Sequence, residues 1–234
     1  MKHQPNILAL KYRPLNFQDL IGQEYLVETI QKSIEQNKIP NAYIFTGIRG
    51  VGKTTTARIV AKMLNCTVFD KNNNPDLINC EQAKAITEDR HPDVIEIDAA
   101  SNTSVENARE IIENVKYNPV LGKYKVYIVD EVHMLSKSAF NALLKTLEEP
   151  PPHSKFIFAT TEISKVPITI LSRCQRFDLR RVEKKTLSDF LKSIAKKEDI
   201  TISNEALNLI VKASDGSVRD SLSILDQANV FKSQ

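Results

Sequence analysis

Glycine is scarce in this chain of 234 residues: there are six, and three of them fall between Gly47 and Gly52. Cysteine is scarcer still. Three cysteines, odd in number and widely spaced, exclude a disulfide framework and the small secreted scaffolds built on one. Long apolar runs are missing, so no segment reads as membrane-spanning, and Met1-Lys2-His3-Gln4-Pro5 lacks the apolar stretch of a secretion signal. No large charge excess exists either. A net charge of +3 neither requires nor forbids nucleic acid, because a basic face can hide in a small total. What remains is a chain with 41% apolar residues, enough for a real core in one or two domains, expected in the cytoplasm.

The three clustered glycines define Gly47-Ile48-Arg49-Gly50-Val51-Gly52-Lys53-Thr54, which fits the phosphate-loop pattern G-x-x-x-x-G-K-[ST]. Its context fits too. Ala42–Thr46 reads as a short buried strand, and Thr55–Met63 as a helix with Ile59, Val60 and Met63 on its apolar side. Glycine lets the backbone wrap phosphate, and the helix start adds open amides and a positive dipole end. Lys53 can reach the outer phosphates and the Thr54 hydroxyl can bind magnesium. The bland alternative is a glycine-rich turn that happens to hold a lysine.

Lys125–Glu131 is the second informative stretch. An apolar run ends in two carboxylates, at the strand edge where open α/β sheets bind ligands. Asp130 is placed to hold magnesium and Glu131 to polarise an attacking water. Further strands are expected at Val94–Ile97 and Lys155–Thr161, with helices at Glu24–Gln36, Val105–Val115 and after the cap Ser136. Thr161 lies either beside the phosphate site or as a cap on the next turn. Residues 66–80 read as a polar insertion centred on Asn72-Asn73-Asn74-Pro75, with a helix resuming from Cys80 to Glu88. Cys66, Cys80 and His91 supply too few ligands for tetrahedral zinc. Residues 6–20 could wrap a nucleotide base or form an ordinary strap. After Arg180-Arg181 no buried strand is expected, only helices at Leu187–Lys197, Glu205–Ala213 and Val218–Val230, the first two capped by Thr186 and Ser203. Arg219 stands in the first turn of the last helix, where a cation opposes the dipole, which hints at a task elsewhere. Arg173 reads equally as a solvated residue or as a charge offered to a neighbouring subunit.

Together these stretches resemble the AAA+ ATPases, and among them the tau/gamma subunits of the bacterial DNA polymerase III clamp loader. The resemblance rests on Lys11-Tyr12-Arg13-Pro14, Ile21-Gly22-Gln23, Gly47–Thr55, Asp98-Ala99-Ala100-Ser101, Asp130–Leu135, Asn141–Pro150, Ala159-Thr160-Thr161, Ser172-Arg173-Cys174 and Gly216–Asp220. It covers nearly the whole chain. The fold it implies is α/β, a phosphate-loop nucleotide-binding domain with a parallel sheet over residues 1–179, an insertion near 66–90, and a small all-helical lid over residues 180–234. A C-terminal collar domain is expected to be absent from these residues.

The activity implied is hydrolysis of ATP to ADP and phosphate, with magnesium, to open the sliding clamp and load it on primer-template DNA. Nucleotide contacts would come from Tyr12, Arg13, Gly47, Ile48, Arg49, Gly50, Val51, Gly52, Lys53, Thr54, Thr55, Asp130 and Arg219, with magnesium held by Thr54 and Asp130. The catalytic set would be Lys53, Glu131, Thr161 as first sensor, Arg173 as trans-acting finger and Arg219 as second sensor. Implied partners are the delta and delta-prime subunits, further tau/gamma copies, and the clamp, with polymerase core and replicative helicase reached through C-terminal regions beyond this chain. A fragment without the collar is expected to be monomeric or weakly associated and slow at hydrolysis. Two departures are visible. The family's four-cysteine zinc module is represented by Cys66 and Cys80, with Leu77 and Ala83 at the other places, so zinc is not expected. The family's DNA-facing basic residues are replaced by Asn102 and Ser104. Two other readings are an AAA+ DNA helicase or Holliday-junction motor, and a non-catalytic structural clamp-loader subunit. The second predicts an eroded phosphate loop, which Lys53, Thr54, Asp130 and Glu131 contradict.

Overall fold

The computed structural model describes residues 7–70, 75–101 and 105–232, the side chains of residues 105–107 and 231–232 excepted. Asn102, Ser104 and the Asn72–Asn74 turn lie outside the described residues. In chain order come α1 (Leu8–Lys11), α2 (Glu24–Glu35), β1 (Ala42–Thr46), α3 (Lys53–Asn65), α4 (Glu81–Thr87), β2 (Val94–Asp98), α5 (Val105–Val115) and β3 (Lys125–Asp130). There follow α6 (Lys137–Glu148), β4 (Ser154–Thr160), α7 (Ile168–Leu171), β5 (Gln175–Asp178), α8 (Lys184–Lys197), α9 (Asn204–Ser214) and α10 (Val218–Lys232).

The strands form one sheet in the order β2-β3-β4-β1-β5, every pairing parallel. Such a sheet needs cover on both faces, and the strand sequences provide for it. Tyr43, Phe45, Val126, Ile128 and Ile157 pack with α2 and α3 on one side. Ala42, Ile44, Tyr127, Val129, Phe156 and Phe158 pack with α5 and α6 on the other. The alternation follows from the two-residue side-chain period of a strand. Each large side chain fully buried this way contributes roughly 1.5–3 kcal/mol. A third apolar cluster joins α8, α9 and α10 through Leu187, Leu191, Ile210 and Leu225, and takes in Leu8 of α1. The amino-terminal strap therefore divides its packing: Leu8 joins the helical region, while Phe17 and Leu20 join the cluster on the α2–α3 face of the sheet.

Three details differ from the sequence reading. β5 was not expected. It pairs with β1 from Tyr43↔Gln175 to Thr46↔Asp178, and its one deeply buried side chain is Phe177, too little for periodicity to detect. α8 starts earlier than Thr186; its cap position is Glu183, which makes no side-chain cap bond. Strand β4 stops at Thr160, leaving Thr161 just past its tip. The caps Ser136 and Ser203 do accept the amides of Ala139 and Ala206 at 3.1 and 3.2 Å.

Candidate functional site

The carboxyl ends of β1, β3 and β4 open onto a cavity of about 830 Å³, bordered by the 49–55 loop, α10 and the strap. The loop leaves β1 and enters α3 through Gly52, whose φ of +103° suits glycine and whose position carries no side-chain cap. The first amides of α3 thus face the loop without a capping side chain, the arrangement that favours an anion. Gly50 has a different reason to lack a side chain. A Cβ there would come 2.1 Å from Ser217 Oγ, because the start of α10 presses directly on the loop. The Arg219 amide donates to the Gly50 carbonyl at 3.2 Å across the same contact.

Lys53 is 6% exposed and its Nζ donates to the carbonyls of Gly47 and Ile48, each at 3.0 Å. Burial holds its pKa below the ordinary lysine value, against the opposing pull of Glu131 and Asp130. Arg13 donates from Nε to Thr55 Oγ1 at 3.3 Å and is also shifted down, first by burial and then by Arg58. Among the described residues neither cation, nor Arg219, has an ion pair, yet all three line the cavity. Uncompensated cations around one space fit an anionic ligand.

The opposing wall is acidic. Asp98 and Asp130 end neighbouring strands in direct register. Thr54 Oγ1 donates to Asp130 Oδ2 at 2.5 Å, and the Glu131 amide donates to Asp130 Oδ1 at 2.9 Å. A hydroxyl and a carboxylate oxygen in contact at the helix start fit a hard divalent cation, which takes oxygen ligands. Glu131 itself sits at φ +46°, a left-handed conformation costly outside glycine. Its Oε2 accepts from the Thr161 amide at 3.0 Å and the Thr161 hydroxyl at 2.9 Å.

Of the residues named from sequence, the structure brings Tyr12, Arg13, Arg49–Thr55, Asp130, Glu131, Thr161 and Arg219 to this one cavity. Gly47 and Ile48 meet it through Lys53. Arg173 is elsewhere. It follows α7 and is paired with Glu148, the last residue of α6, so both lie where β4 and β5 begin, at the opposite edge of the sheet. Three residues were missed. His133 stands beside Glu131, and its place inside the Asp130–Leu135 run was the available signal. Ser217 meets the loop. Glu198 accepts from the Tyr12 hydroxyl and from Lys11, tying strap to α8, and this bond pushes the tyrosine up to about 12; nothing local in the sequence marked it.

In the insertion, Cys66 and Cys80 are buried against Ala83 and Leu77. Cys66 donates to the Val68 carbonyl at 3.1 Å, and burial pushes its thiol up to about 12. His91 is engaged with Gln82 and the Asp93 amide. Among the described residues no group of three or more His, Cys, Asp or Glu side chains is arranged to hold a metal. No helix among them is long and apolar enough to cross a membrane.

Fold and cavity together define an AAA+-type phosphate-loop domain carrying a helical lid. Comparison with known proteins narrows this. Residues 22–183 match the family described as DNA polymerase III, delta subunit, and residues 186–233 match the DNA polymerase III clamp loader subunit ATPase lid domain. Over 222 residues the chain is 50% identical to DNA polymerase III subunit tau/gamma of Haemophilus influenzae and 49% identical to subunit tau of Bacillus subtilis. These alignments cover 95% and 94% of this chain but 32% and 39% of the two relatives, so the chain spans about a third of their length. Among solved structures, the Thermotoga maritima RuvB Holliday junction branch migration motor superposes with a TM-score of 0.67. That match covers 94% of this chain and 67% of the other, at 20% identity, a likeness of fold alone. The chain belongs to the DNA polymerase III clamp-loader subunit family that these two family models describe, and over the aligned residues it is similar to the tau/gamma subunits.

Proposed function

We propose that the chain is the ATP-hydrolysing part of a clamp-loader subunit, which uses ATP and magnesium to open a sliding clamp and place it on primer-template DNA. The observation that carries this is the 2.5 Å contact between Thr54 and Asp130, made while Lys53, Arg13 and Arg219 line the same cavity without ion pairs among the described residues. Lys53 and the α3 amides would hold the outer phosphates, Arg219 would approach them from the lid, and Tyr12 with Arg13 would border the rest of the nucleotide. Thr54 and Asp130 would hold magnesium, which when bound neutralises charge on the phosphate oxygens. Glu131 would accept the proton of the attacking water and Thr161 would contact the terminal phosphate. Arg173, facing away at the far edge, would serve the site of an adjoining subunit.

The assembly, with delta, delta-prime and further tau/gamma copies, and its links to polymerase core and helicase, are part of the same proposal. They are supported by relatives 45–50% identical. The test is hydrolysis in a complex rebuilt with those subunits. Clamp plus primed DNA should stimulate it, and absence of stimulation overturns the loader reading. Unwinding or branch migration by the chain would favour the helicase alternative instead.

A further inference from the structure

All three cysteines are free thiols, and two of them meet. Cys66 directly follows α3 and Cys80 directly precedes α4, so they stand at the two ends of the insertion. Both are buried in one small cluster with Ala83, and their side chains are hydrogen-bonded to each other. Just beyond them the two arms of the insertion are joined. Phe69 and Pro75 form an antiparallel bridge, and the Asp76 amide donates to the Val68 carbonyl at 2.9 Å. The backbone of the insertion therefore sets the two sulfurs side by side.

The two thiols are not equivalent. Burial keeps Cys66 protonated, and its single proton has the Val68 carbonyl, at 3.1 Å, and the Cys80 sulfur as acceptors. Burial opposes ionisation of Cys80 as well. There the Cys66 thiol, and then the amides of Ala83, Thr67 and Gln82, outweigh it and hold the pKa below the ordinary thiol value. One sulfur is thus prepared as a nucleophile, with a resolving thiol against it. Cys174 is the contrast, since burial alone acts on it and pushes it up to about 12.

We propose that Cys66 and Cys80 form a reversible oxidation site, a dithiol that a peroxide converts to a disulfide across the base of the insertion. Cys80 is 0% exposed and Cys66 8%, so the oxidant that fits is one little larger than water. The Cys80 thiolate attacks one peroxide oxygen, the O–O bond breaks and hydroxide leaves, giving a sulfenic acid. The Cys66 sulfur then attacks the Cys80 sulfur, the S–O bond breaks, and the departing hydroxide takes the Cys66 proton as water. Two electrons leave the sulfur pair and reduce the peroxide to water. A dithiol reductant reverses the change by exchange and is itself oxidised to a disulfide. The site is independent of the nucleotide reading above.

Mass spectrometry of the full, folded chain after exposure to hydrogen peroxide tests this. The intact mass should fall by the mass of two hydrogens, and peptide mapping should link Cys66 to Cys80. The pair should lose its thiols about tenfold faster than Cys174 does, because only Cys80 has donors that favour the thiolate. Dithiothreitol should restore all three thiols. In Cys66→Ala the nucleophile lacks its resolving partner, so Cys80 should stop at the sulfenic acid, trapped with dimedone, or go on to the sulfinic acid. In Cys80→Ala the Cys66 thiol should survive the same exposure. The linked chain should melt roughly 5 °C higher, since the closed loop restrains the unfolded state. The proposal is overturned if Cys66 and Cys80 stay free while Cys174 oxidises, if the link runs through Cys174 or between chains, or if it forms only after unfolding in urea. These readouts use the unsubstituted chain, so they decide the matter even where a variant fails to fold.

Discussion

The two edges of the one sheet treat polar groups in opposite ways. At the edge where the strands begin, Asp93 is 1% exposed and accepts the amides of Val120, Leu121 and Gly122, each at 2.7 Å. Asn65 likewise donates to the Tyr124 carbonyl at 2.9 Å and accepts its amide at 2.8 Å. These groups are satisfied internally, and they fix the turn that delivers the chain into β3. At the edge where the strands end, buried Lys53 leans on backbone carbonyls, Arg13 on a threonine hydroxyl, and Glu131 occupies a strained backbone conformation. A fold built for stability alone would resemble the first edge throughout. Among the described residues the second edge leaves Lys53, Arg13 and Arg219 without ion pairs, which costs stability unless a ligand completes them.

That contrast can be broken or sharpened by substitution. The largest effect is expected from Arg173→Ala, because Arg173 sits at the edge away from its own cavity. In the assembled complex hydrolysis should fall roughly a thousandfold, the range for an arginine supplied in trans. Nucleotide affinity of the isolated chain should stay unchanged. Equal loss in the isolated chain would show that the residue acts within its own fold. Next is Lys53→Ala, which should weaken nucleotide binding by calorimetry about a hundredfold, as loss of charge-assisted bonds to phosphate implies. The urea midpoint should change little, because losing the two carbonyl contacts of Lys53 is offset by removing a desolvated cation.

Asp93→Asn should reverse that pattern. Unfolding free energy should fall by about 2 kcal/mol, measured in urea, with nucleotide affinity intact. Backbone donors hold the Asp93 pKa below the ordinary carboxylate value despite its burial. Its contribution is therefore complete above the unfolded value, about 3.9, and is lost as pH falls through the lower folded value. The variant should lose less stability than the parent across that acid interval. The smallest effect is expected in the insertion. Cys80→Ala removes one fully buried sulfur, at a cost of about 1 kcal/mol, and a chelator should leave the thermal midpoint of the parent unmoved. A large drop with chelator would mean that the insertion holds a metal.

Much of this was readable from the chain. Gly47–Thr54 and Lys125–Glu131 announce themselves because the geometry they need lies within a few consecutive residues: glycine at the left-handed positions, a carboxylate at the end of an apolar run. The helices of the lid were visible for the same reason, through periodicity and the caps. β5 was not, since four residues with one deeply buried side chain carry no usable pattern, and α8 began before Thr186 because its first turn starts at Glu183 without a side-chain cap.

By itself the sequence determined the parallel α/β core, the helical lid, and the charged residues that line the cavity. Only the tertiary structure decided that Thr161 meets Glu131, that Ser217 leaves no room for a side chain at Gly50, and that Arg173 lies at the opposite edge from Lys53. Each of those pairings depends on strand order and on how the lid is set against the sheet. Local pattern specifies which face of an element is buried; it does not specify which element lies next to it.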